Sequence, residues 1–185
     1  QNAWEKAAAD IYSFRDIAQS VGHNPPPPII LTNVAVAESR EEAKDLAMEY
    51  LGAKWDSIDN HYNFSDGHLA NVKGYESYGK MAKTYAKLQD AEARQKMMEF
   101  YVGIQIVGTP DDCIEQVRAL RALTGTDHIV CDFSYGGMPH EKGELNMRLF
   151  ADRVMPVLQR DSAFTGPIDI PATPKAAQDD VFAPA

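Results

Sequence analysis

The sequence is poor in cysteine, with Cys113 and Cys131 the only two in 185 residues. They can form at most one disulfide, which excludes a disulfide-stapled scaffold and makes a reducing, cytoplasmic setting the expectation. Positive charge is also scarce. The 18 Lys and Arg against 27 Asp and Glu leave a net charge of −9. An acidic chain without a basic stripe is a poor ligand for nucleic acid or an anionic membrane surface, so neither is expected as a partner. No apolar run approaches the roughly 20 residues that cross a bilayer. The opening residues, Gln1 to Lys6, carry no apolar signal-like stretch and no initiator Met. Walker loops, G-x-S-x-G and G-x-G-x-x-G are missing too, which removes the best-marked nucleotide and serine-hydrolase chemistries. What remains, 44% hydrophobic and 24% charged residues, is ordinary composition for one globular domain.

Apolar periodicity places the elements. Trp4, Ala7, Ala8, Ile11, Phe14, Ile17, Ala18 and Val21 recur at helical spacing over 3–21, with Gly22 as the stop. Four prolines, Pro25 to Pro28, lead into a strand over Ile29 to Ala37, apolar on both faces as in a sheet covered by helices. Ser39 and Glu42 form a capping box for a helix over 40–51. Residues 52–103 read as a loop with two weakly amphipathic helices, either a surface excursion or a lid over a site. Thr109 as N-cap, Pro110 at N1 and Gly125 as stop bound a helix whose apolar face is Ile114, Val117, Leu120 and Leu123. Residues 127–133 form a second strand. A last helix opens at Pro139, buries Leu145, Leu149, Phe150, Val154 and Val157, and bends near Pro156. The tail, 161–185, is Pro-, Ala- and Asp-rich and is expected to be flexible. Strand, helix, strand, helix implies parallel strands joined by crossovers. Two buried parallel strands cannot make a stable sheet alone, so partner strands are expected.

Candidate chemistry is sparse. Asp56, Asp59, His61, Asp66 and His68 match no zinc or calcium spacing and read as a solvated loop, so no metal site is expected. Gly136 and Gly137 before a helix are either an anion cradle or a tight turn, and His140–Glu141 read as a solvated helix start. Cys113 sits near a helix start that can lower a thiol pKa, without a histidine at catalytic spacing, and Cys131 reads as core. Thr32 and Asn33 are polar residues inside an apolar strand. A buried polar group without a partner costs about 1–3 kcal/mol, so each bonds within the fold or faces a ligand. Trp55 is a packing residue or a pocket wall.

Three motifs in series point to a family: I-V-G-T-P-D-D-C-I-E-Q-V (106–117), T-G-T-D-H-I-V-C-D-F (124–133) and N-M-R-L-F-A-D-R-V-M-P-V-L (146–158). Together with L-G-A-K-W-D-S (51–57) and K-G-Y (73–75), they make the chain resemble the C-terminal part of the bacterial luciferase-like flavin monooxygenases. The resemblance covers most of 29–158. It implies an α/β fold, the C-terminal portion of a (β/α)8 TIM barrel with about strands seven and eight and their helices. A complete barrel takes about 250 residues, so this one is incomplete. Residues 1–160 would be the barrel part, with 53–103 an insertion placed where the family carries a mobile loop. The implied activity is monooxygenation of a small apolar organic substrate by O2, with reduced FMN from a flavin reductase, or the deazaflavin F420. The assembly would be a homo- or hetero-dimer. The alternative is a non-catalytic flavin-binding or subunit-like truncated barrel. Thr32 is similar to a site-facing hydroxyl residue of strand seven and becomes the cofactor-binding candidate. Trp55 is similar to a tryptophan bordering the substrate pocket, and Lys87 to a lid lysine. No catalytic residue carries over.

Overall fold

A computed structural model gives the fold. It describes residues 3–76, 78–79, 82–83 and 90–165. Lys87, parts of the 53–103 segment and residues 166–185 of the tail lie outside the described residues. The elements run α1 (Ala3–Ser20), β1 (Ile29–Val36), α2 (Arg40–Tyr62), α3 (Ala91–Gly103), β2 (Ile106–Gly108), α4 (Pro110–Thr124), β3 (His128–Asp132), α5 (His140–Arg153), α6 (Met155–Arg160) and α7 (Ser162–Thr165). Two 3-10 turns, Phe64–Asp66 and His68–Asn71, follow α2.

The described sheet has three strands, not two, in the order β2-β1-β3, all parallel. Ile106 to Gly108 pair with Val34 to Val36, and His128 to Asp132 pair with Ile29 to Asn33. A strand this short has almost no periodicity of its own, and it exists because β1 offers it a ladder. On one face Val34, Val36 and Ile106 pack with Cys113, Ile114 and Val117 of α4, and with Phe150 and Val154. On the other, Ala35 packs with Ala47, Tyr50 and Leu51 of α2, Val102 of α3, and Tyr135 and Met138 of the turn before α5. That second cover stops short. Ile29 is 68%, Leu31 66% and Val130 49% exposed. The expectation that both strands are fully buried is therefore corrected: β1 is buried from Thr32 to Val36 but bare at Ile29 and Leu31, and no residue of β3, an edge among the described strands, is fully buried.

Helix ends follow their caps. Thr109 and Asp112 form a reciprocal capping box, and Gly125 closes α4 in the left-handed region. Ser39 Oγ accepts the Glu42 N–H at 3.2 Å. Helix α2 does not stop at Leu51 but runs to Tyr62 and ends on Asn63 at φ 50°. Its extension is held by tertiary contacts with α3, among them Gly52 against Met98 and the Asp56–Arg94 ion pair. Helix α5 breaks at Val154, where Pro156 opens α6, as the proline requires. Its buried face differs from the expected one. Phe150, Val154 and Asn146 are buried, while Leu145 and Val157 are exposed. On α1, Ala8 and Tyr12 are buried, and the Tyr12 hydroxyl donates to the Leu123 carbonyl. Phe14, Ile17 and Val21, expected on its apolar face, stand exposed.

Candidate functional site on the α2/α3 face

Asn33 and Asp132 are register partners on neighbouring strands, so their side chains share the α2/α3 face. Lys54 of α2 reaches both. Its Nζ donates to Asn33 Oδ1 at 2.7 Å and to Asp132 Oδ2 at 3.0 Å, and it stands 5.6 Å from the Tyr135 ring centroid. The pair is partly screened, with Lys54 25% and Asp132 35% exposed. Gln105, just before β2, closes the cluster from the far side. Its Oε1 accepts from the Asn33 backbone N–H and from Asn33 Nδ2, both at 3.0 Å, while its Nε2 donates to the Tyr101 carbonyl. Tyr101 in turn meets Trp55 edge-on, with ring centroids 5.2 Å apart. The result is a cation, a carboxylate and two amides beside aromatic side chains, next to the bare apolar strip of Leu31 and Val130. Such a surface suits a flat ligand with an apolar body and a polar edge.

The sequence candidates fall in different places. Asn33 is in the cluster, and Trp55 borders it through Tyr101. Thr32 alternates onto the α4/α5 face and is 1% exposed, and its hydroxyl reaches the Asn33 carbonyl at 3.2 Å and Gln105 Oε1 at 3.3 Å. Gly136 makes a close approach, not a cradle. A Cβ there would stand 1.9 Å from the Tyr50 carbonyl oxygen and 2.9 Å from the Lys54 nitrogen, and its φ is +61°. Burial pushes the Cys113 thiol up to about 12 and the Cys131 thiol to about 11, which keeps both protonated at neutral pH. Asp56 pairs with Arg94, and His61 packs edge-on to Tyr62. Among the described residues no three His, Cys, Asp or Glu side chains gather as metal ligands. No described helix is long and apolar enough to cross a membrane. A separate groove of about 700 Å³ runs between β3 and α5 to α7, lined by Ile129, Cys131, Phe150 and Leu158. It lies on the opposite face from Lys54.

Lys54, Asp132 and Gln105 were missed by reading the sequence. A signal existed: IILTN and HIVCD each end a β-branched run on a polar fifth residue, which parallel pairing brings side by side.

Helices packed on both faces of a parallel sheet define an α/β protein. The chain belongs to the luciferase-like monooxygenase family, whose model matches residues 1–128. It is similar to the alkanal monooxygenase alpha chain of Aliivibrio fischeri, 29% identical over 126 residues, covering 68% of this chain and 34% of that one. It is also similar to that of the Kryptophanaron alfredi symbiont, 27% identical over 169 residues, covering 87% and 44%. The crystal structure of monooxygenase RslO1 from Streptomyces bottropensis matches with a TM-score of 0.47 and 20% identity, covering 83% of this chain and 38% of that one. The chain spans less than half the length of the curated relatives it matches.

Proposed function

We propose that this chain is the C-terminal sector of a flavin-dependent monooxygenase barrel, contributing about strands seven and eight. The enzyme would use reduced FMN and O2 on a small, mostly apolar organic substrate. An aldehyde is the leading class, by similarity to the alkanal monooxygenases. The observation that carries this reading is the polar Asn33–Lys54–Asp132 cluster beside a bare apolar strip, on a face whose cover is incomplete. Further strands would pair at the free edge of β3 and extend that face around the site.

The lining fits the ring of a flavin. The Asp132 carboxylate, 35% exposed and held by Lys54, suits the polar edge, with Asn33 buried behind it, and Leu31, Val130 and the Trp55–Tyr101 pair suit the body. The Gly136 turn, filled by α2, does not suit the phosphate, which is assigned to the remainder of the barrel. Bound reduced flavin supplies the electrons that activate oxygen. The residues of this chain orient and exclude water. Trp55 borders the substrate. Thr32 serves the site from behind, through Gln105 and Asn33. Within the 53–103 segment the ends are docked as α2 and α3, so the lid is narrowed to the stretch between those helices, with Lys87 its candidate lysine, and its closure would keep water from the site. A flavin reductase as electron donor and a homo- or hetero-dimer complete the proposal. F420 is the alternative cofactor.

The test is anaerobic titration of reduced FMN into the full-length protein, whose intact mass is measured first. Saturable binding is expected, with a mass above 20.5 kDa. Deleting 61–75 should leave that binding intact and raise hydrogen peroxide release per flavin oxidised. Absence of binding contradicts the enzymatic reading, and unchanged coupling contradicts the lid.

A further inference from the structure

Within one of its turns helix α2 is attached at two points, to the turn that follows β3 and to the strands themselves. The first is backbone contact. The Gly136 Cα sits so close to Tyr50 and Lys54 that no side chain fits between them. The second is the Lys54 ammonium, which bridges Asp132 of β3 and Asn33 of β1. Asn33 is 4% exposed, and Lys54 is the donor to its Oδ1, so loss of the ammonium strands a buried acceptor. The lysine stem carries the ammonium from the helix to both strands. Trp55 is the next residue on α2, and its edge contact with Tyr101 links it through the Tyr101 carbonyl and Gln105 back to Asn33.

We propose that Lys54 is a positioning residue. By tying α2 to Asn33 and Asp132, it sets where Trp55 of α2 meets Tyr101 of α3, and so sets the shape of the ligand surface. This rests on the flavin-site reading for its effect on binding, but not for its effect on Trp55. Gly136 is the second half of the same clamp, acting without charge.

The experiment uses the full-length protein with every other tryptophan, Trp4 included, replaced by phenylalanine, so that emission reports Trp55 alone. Lys54→Met should raise acrylamide quenching of Trp55 about twofold and weaken reduced FMN about tenfold, with an unchanged circular dichroism spectrum. Lys54→Arg, which keeps the donors, should restore most of both. Gly136→Ala should reproduce the quenching change with Lys54 intact. Lys54→Met that weakens flavin while leaving Trp55 unmoved assigns Lys54 a direct electrostatic role and overturns the proposal, as does a variant silent in both readouts. If Lys54→Met does not fold, Asp132→Asn and Lys54→Arg decide by the same two readouts. Failure of the parent protein to bind reduced FMN removes the flavin reading alone, and the Trp55 measurement still decides the clamp.

Discussion

The two faces of the sheet are built to different degrees of completion. The α4/α5 face is closed over β1 and β2, where Val34, Val154 and Cys113 are fully buried and Asn146 seals the upper end, and it opens only at the groove along β3. Asn146 Oδ1 accepts the Val36 N–H at 2.9 Å, while its Nδ2 donates to the carbonyls of Val34 and Phe133. The Val34 carbonyl also accepts from the Tyr135 hydroxyl at 3.0 Å. The α2/α3 face is closed over Ala35 and bare at Ile29, Leu31 and Val130, and charge and aromatic side chains collect between the two. Burial supplies stability on one side, and incomplete cover leaves room for a ligand or for further strands on the other.

Mutations separate the faces by size of effect. The largest is expected from Phe150→Ala, which removes a buried ring packed edge-on to Phe133 and should cost about 3–5 kcal/mol in denaturant unfolding. A cost under about 1 kcal/mol would mean that the closed face collapses without penalty. Next comes the start of α4. Thr109→Ala removes the cap and should cost about 1 kcal/mol. The carboxyl of Asp112 is held well below its usual range by hydrogen bonds from the Arg40 side chain, then from Thr109. A folded pKa lowered in this way contributes stability above the unfolded pKa and loses it as pH falls. The stability difference between the parent and Asp112→Asn should therefore be flat near neutrality and shrink below about pH 4. A difference that grows on acidification would contradict that sign. The smallest effect is expected at Leu31→Ala in the 185-residue polypeptide, under about 0.5 kcal/mol because the side chain is mostly in water. A cost of about 2 kcal/mol there would show that this face is covered after all.

The closed face was largely legible in the sequence. Thr109, Pro110 and Gly125 bracket α4 because capping and left-handed stops are local chemistry, and Pro156 breaks the last helix for the same reason. The site face was not. Helix α2 runs eleven residues beyond Leu51 through weakly amphipathic sequence, held by α3, and β2 is a strand only because β1 pairs with it. Asn33 stood out as a polar residue in an apolar strand. Its partner Lys54 did not, because a lysine on a helix is ordinary until the helix packs over the strand that needs it. Asn146 was hidden likewise: its position on α5 lies among expected apolar residues, and only the sheet end it caps explains its burial.

The measurement that tests the account most directly is hydrogen exchange of the full-length protein with and without reduced FMN. Protection is predicted around Asn33, across Lys54 and Trp55, and at the end of β3, with the α4/α5 face unchanged. Protection confined to the 700 Å³ groove between β3 and α5 to α7, or none anywhere in this sector, would contradict it.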